Sequence, residues 1–182
     1  MNAGLRIALI PIGEVDPALL ALLTEDLPGI FAFEVEVYPA VPLAQKHFVK
    51  DRGQYNADGL LAEFSSIVPG PGTVLLGITE ADLFSPGLNF VFGIANRRRA
   101  LISTFRLHPE IYGREPNTMV FRRRVLVEAI HEIGHALGLP HCEYPGCVMY
   151  FSNWIGDTDR KGPGFCFRCA RALERLMVTE GP

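Results

Sequence analysis

The sequence predicts a mixed α/β (α+β) domain. Three observations predict it. Strand-length apolar or alternating runs are interleaved with segments of helical period. One of those runs, Thr73–Thr79, is continuously apolar, which suits a sheet covered on both faces. A long amphipathic segment over about 118–137 then follows as a single helix. With 182 residues, the chain is long enough to bury a real core, and it is read as one domain spanning 1–182.

Taken in order, Ile7–Pro11 is the first strand. Asp16 and Pro17 form an N-cap followed by proline at the first helical position, opening a helix that Pro28-Gly29 ends. Phe31–Pro39 alternates like a half-buried strand. Asn56–Val68 has helical spacing and stops at "VPGPGT". Thr73–Thr79 is a buried strand. Leu88–Ala95 and Arg99–Leu107 form a hairpin around Asn96. A loop runs from His108 to Asn117, and the long helix covers Thr118–Leu137.

Hydrophobic residues make up 48% and charged residues 20%, a globular balance. The net charge of −3 gives no argument for nucleic acid or an anionic membrane as partner. The basic runs Asn96–Ala100 and Arg122–Arg124 read as solvated turn or helix ends. Ile7–Ile12 is too short for a secretion signal or a membrane span. The expected location is therefore the cytoplasm, where thiols stay reduced.

Three of the five histidines lie between residues 131 and 141. In the long helix Leu126, Ile130, Ile133 and Leu137 form one apolar stripe. His131 and His135 lie about 40° apart on the opposite side, given about 100° per residue. Two imidazoles one turn apart can ligate one metal ion. Glu132 points about 100° away from His131, off the metal face, where it can act on a water as general base. Gly138 lets the chain leave the helix in a left-handed conformation, and Pro140 prevents the helix from resuming. The chain then turns back and presents His141 as a third ligand, leaving a fourth position open, as a catalytic zinc site requires. H-E-x-x-H with Gly138 and His141 in place would arise by chance in roughly one chain in 100,000, so a structural reading of these histidines is set aside. His47 and His108 read as ordinary surface or loop histidines.

"HEIGHALGLPH" matches the pattern H-E-x-x-H-x-x-G-x-x-H in full. Together with Cys142, Cys147, Cys166 and Cys169 it resembles the archaemetzincins, a family of small metzincin-like proteins. "RGQYNADGLL" and "DLFSPGLNFVFGIA" support the likeness. The resemblance implies a metzincin (zincin-like) fold: a twisted mixed sheet, backing helices, a long zinc helix below the cleft and a lower part over 139–182. It implies a zinc peptidase with His131, His135 and His141 as ligands, Glu132 as base and Met149 in a methionine turn. The strand "LNFVFGIA" would border the cleft, so Phe90, Val91, Phe92 and Gly93 are expected to bind substrate. Tyr150 is adjacent to Met149 rather than two residues beyond it, so no catalytic role passes to it. No zymogen segment is expected before the first strand.

The resemblance also implies a second, structural zinc, and the cysteines support this. Two close pairs with 18 residues between Cys147 and Cys166 match a closed thiolate site better than disulfides in a reducing compartment. Buried free thiols or disulfides remain the alternatives. Cys166, Cys169, Leu173 and Leu176 share one face of a last helix over 164–178, so a metal there would tie that helix to the loop below the active site. The expectation is a zinc-dependent peptidase, two zinc ions per chain, a peptide or protein substrate and a monomer. A non-catalytic peptide- or metal-binding protein, or a non-peptide amide hydrolase on the same scaffold, are the rivals. An intact Glu132 weighs against mere binding.

Overall fold

A computed structural model of the chain describes residues 5–63, 66–67 and 70–179. Its first strand, β1 (Arg6–Pro11), carries Ile7, Ala8, Leu9 and Ile10, all buried. A strand apolar on both sides needs a layer against each face. Ile7 and Leu9 pack with Leu19, Leu23, Val127 and Ile130, while Ala8 and Ile10 pack with Ala57 and Leu60. The same period of two runs through β5 (Thr73–Thr79) and β8 (Arg99–Ser103). Val74, Leu76, Ala100 and Ile102 face one core, and Leu75 and Leu101 the other. Helices α1 (Pro17–Phe31) and α3 (Thr118–Ala136) cover the first face, and α2 (Ala57–Glu63) covers the second.

With β2 (Glu34–Val37) and β7 (Gly93–Asn96), these strands form a sheet of order β2-β1-β5-β8-β7. All neighbours are parallel except β7, which runs antiparallel to β8 and forms one edge. A small second sheet joins β3 (Phe48–Val49), β4 (Gln54–Asn56) and β6 (Leu83–Phe84). Two short helical elements follow α3: α4 (Ile155–Arg160) and α5 (Phe167–Thr179).

Pro28-Gly29 does not end α1. The helix continues to Phe31, which is buried and rests on the rings of Phe33 and Phe165 at 5.6 and 5.7 Å. Burial of that ring outweighs the single helix hydrogen bond that proline removes. Ala32, in the left-handed region, closes the helix with its N–H on the Pro28 carbonyl. The second strand is accordingly shorter than Phe31–Pro39. Residues 64, 65 and 68 of the expected second helix lie outside the described residues.

The hairpin turns at Arg97 and Arg98, both left-handed (φ 41° and 60°), the hand that matches strand twist. The N–H of Arg98 donates to the Ala136 carbonyl at 2.9 Å, pinning the turn to the end of α3. The strand expected over Leu88–Ala95 begins only at Gly93, although the Phe92 carbonyl accepts from Ser103 N–H and the Val91 N–H donates to the Leu83 carbonyl. Upstream, Arg52 donates to the carbonyls of Leu88 and Asn89, and Gln54 also donates to Asn89. With those carbonyls engaged by side chains, the segment runs as a loop. In the basic run Arg122–Arg124 the first two residues are exposed as expected, but Arg124 is not. Arg124 is fully buried, gives two hydrogen bonds to the Asp159 carboxylate and one to the Leu107 carbonyl, and so ties α3 to α4.

Candidate active site

Asn117 caps α3 by accepting the Val120 N–H on its side chain. At the other end Gly138 (φ 99°) is left-handed, as its place after the histidines predicts. Gly138 N–H donates to His135 O and Leu139 N–H to Gly134 O, the two bonds of a Schellman turn. That turn has a chemical consequence. The Leu139 carbonyl sits 2.8 Å from His135 Nδ1, and the Val148 carbonyl 2.7 Å from His131 Nδ1. A carbonyl only accepts, so both Nδ1 atoms carry the proton and both Nε2 atoms are bare lone pairs. Those two Nε2 atoms face each other at 3.1 Å. Neither can donate to the other, so the pair calls for a cation between them.

The structure also brings His141 to this point, its ring 4.5 Å from that of His135 and 5.5 Å from that of His131. One ring nitrogen from each of the three histidines lies within 4.8 Å of the others. Burial lowers the pKa of all three imidazoles, most strongly for His131, where Lys161 and His135 add to it. They are held neutral, the form a metal ligates. Three neutral nitrogens from side chains of graded exposure are a donor set that fits zinc with an open position.

Glu132 is buried beside them. Burial, with the Glu128 carboxylate adding to it, raises its pKa well above the usual range. A base of raised pKa is suited to holding a proton near neutral pH. It owes its place to Gly93: a Cβ there would lie 2.6 Å from Glu132 Cγ and 2.8 Å from the Leu101 carbonyl. The β7 edge therefore lies directly against the glutamate. Met149 is buried below the helix, where only a glycine at 134 admits its sulfur: a Cβ on Gly134 would stand 2.5 Å from Met149 Sδ.

A cleft of about 880 Å³ runs over these residues. Phe90, Val91, Phe92 and Gly93 line it, although only Gly93 belongs to a strand. The ring of Phe90 is held by the ring of Phe92 at 5.2 Å and the Arg106 guanidinium at 4.5 Å. His47 and His108 stand elsewhere, against Glu63 and Phe121.

The four cysteines converge as well. Their sulfurs lie within 4.8 Å of one another, and all four are free thiols rather than disulfides. Backbone N–H groups of Tyr144 and Cys166 point at the sulfurs of Cys142 and Cys147, and the N–H of Cys169 leads in lowering Cys166 to about 7. Burial instead pushes Cys147 and Cys169 up. Four converging sulfurs with N–H donors aimed at them form the closed donor set of a structural zinc. The Cys142 N–H donates to the Met149 carbonyl, so this cluster shares one loop with His141 and Met149.

A model of peptidase family M54 matches residues 37–175. The chain belongs to that family. It is 41% identical over 172 residues to the archaemetzincin of Methanocaldococcus jannaschii, covering 93% of each chain. The crystal structure of archaemetzincin from Archaeoglobus fulgidus, complexed with malonate, superposes with a TM-score of 0.79 at 40% identity, covering 92% of this chain and 99% of that one. The archaemetzincin structure from Methanopyrus kandleri reaches 0.84 at 34% identity, covering 96% of both. Membership of M54 makes the chain a zinc-dependent metallopeptidase acting on peptides or proteins, and its two clusters are consistent with two zinc ions. Among the described residues no helix is long and apolar enough to cross a membrane.

Several polar residues at this M54 site escaped the sequence reading. Glu128 is buried and lines the cleft, and Lys161 is fully buried beneath it. Glu128 was detectable, because Glu128, His131, Glu132 and His135 follow i, i+3, i+4, i+7 and so share one polar helix face. Nothing in the local sequence of Lys161 marks it.

Proposed function

We propose that His131, His135 and His141 hold the catalytic zinc, and that Cys142, Cys147, Cys166 and Cys169 hold the structural one. Bound there, the catalytic ion supplies Lewis-acid polarisation of the scissile carbonyl and lowers the pKa of a water in the cleft. Glu132 accepts the proton of the attacking water and returns it to the departing amine. The β7 edge from Gly93, preceded by Phe90–Phe92, offers unpaired backbone groups to an extended peptide as an added strand. Met149 and Gly134 keep the floor of the site in place. The observation that carries this reading is the pair of bare Nε2 atoms at 3.1 Å, with a buried glutamate beside them. We place the protein in a reducing location such as the cytoplasm, where four thiolates stay available to a metal. We read residues 1–182 as one domain, acting as a monomer.

Turnover of a random peptide library with and without chelator, beside zinc content, tests the assignment. Glu132→Gln should keep its zinc and lose roughly a hundredfold or more in rate. Full activity in that variant would overturn the mechanism.

A further inference from the structure

Resting on that reading of the zinc site, we infer that the cleft selects one substrate side chain beside the scissile bond: a short polar one that donates a hydrogen bond, through the acceptors Glu128 and Ser152. The position follows from the run of β7. Gly93 lies against Glu132, whereas the Arg97-Arg98 turn at the far end of the hairpin is tied to Ala136. A peptide laid along this edge therefore passes Glu132 and reaches Glu128, one helical turn earlier on the same face. There the cleft is lined by Glu128, Ser152 and Asn153.

The chemistry follows from counting protons. His131 Nδ1–H donates to the Val148 carbonyl, so that nitrogen has no lone pair to accept from the Lys161 ammonium 3.3 Å away. Lys161 donates instead to the Tyr150 carbonyl at 3.2 Å and lies 3.4 Å from Glu128 Oε1. The single hydroxyl proton of Thr158 goes to that same oxygen at 2.9 Å. The 3.2 Å contact between Thr158 and Ser152 is then completed by the Ser152 proton. The Thr158 and Ser152 protons are thereby used, the Lys161 ammonium is fully buried and does not line the cleft, and the hydrogen bond that Glu128 accepts from Thr158 falls on Oε1 rather than Oε2. What Glu128 and Ser152 present towards the cleft is acceptor, Oε2 and Oγ, while the exposed Asn153 amide at the rim can donate or accept. Because Lys161 balances the carboxylate, a neutral donor satisfies the recess without adding charge. An aliphatic side chain would leave buried acceptors unpaired, and a carboxylate would be repelled.

Peptide hydroxamates test this by binding rather than turnover, the hydroxamate taking the zinc and one side chain entering the recess. Calorimetry on the zinc-loaded protein should find asparagine- and serine-bearing compounds at least about tenfold tighter than the leucine-bearing one, with the aspartate form weakest. A leucine form that binds tightest overturns the inference and leaves the zinc assignment standing. Failure of every hydroxamate to bind overturns the zinc assignment, and the inference with it. Glu128→Gln presents amide N–H groups, so the aspartate form should gain and the preference for donors should shrink. The double variant Glu128→Gln with Lys161→Met does the same without an uncompensated buried ammonium. An unchanged ranking in either folded variant sinks the idea.

Discussion

Glu132, the proposed general base, is kept at a cost to the fold. Burial raises the Glu132 pKa well above its ordinary value of 4.5, which means the folded, zinc-free protein binds that proton more tightly than the unfolded chain. Stability from this group is intact below about pH 4.5 and is lost as pH rises towards the folded value. Glu132→Gln should therefore melt higher than wild type in the zinc-free protein at pH 8, with the gap closing at pH 4; a gap independent of pH would contradict the buried carboxylate. The neighbouring Gly93 makes a second prediction. Gly93→Ala pushes a methyl group into Glu132 Cγ and the Leu101 carbonyl, so the glutamate must shift. Peptidase rate should fall about 10- to 100-fold while zinc content stays near wild type, because misplacing a catalytic group is costly even when the metal is unaffected. Equal losses of zinc and rate would show that the residue supports the metal instead.

Among the elements, α3 does most of the organising, and it depends on a contact that its own pattern conceals. Three arginines in a row at its start suggest solvent, yet Arg124 is fully buried against Asp159 of α4. The neighbouring Arg123 also donates to the carbonyls of Asp159 and Lys161. These bonds place the end of α4 so that Lys161 reaches Glu128 and Tyr150. Asp159→Ala would strand a buried guanidinium, with an expected loss of about 3–5 kcal/mol in denaturant unfolding. A loss under about 1 kcal/mol would mean that water or another acceptor replaces the aspartate. The edge of the sheet is governed the same way. Whether Leu88–Phe92 is strand or loop was decided by Arg52 and Gln54, which are distant in sequence and capture its carbonyls.

At the level of the whole molecule, two metal clusters share the loop from His141 to Tyr150 but differ in chemistry. Three neutral nitrogens with an open position should release zinc to a chelator before four thiolates do. Metal analysis during chelation should show one ion lost early and one retained. Replacing Cys166 and Cys169 by Ser should remove the retained ion and lower the melting temperature, whereas replacing His131 and His135 should remove the labile ion with less effect on the fold. Release of both together would contradict the division. The sequence by itself determined the zinc helix and its Schellman stop, the three histidines, the four cysteines and the layered sheet. Those are local properties, set by helical and strand periods and by ligand spacing, which survive without knowledge of the rest of the chain. Only the tertiary structure decided that α1 passes through Pro28, that Arg124 and Lys161 are buried, and that the cleft's rim is a loop. Each of these depends on partners far away in sequence, where burial and hydrogen bonding outweigh the local preference.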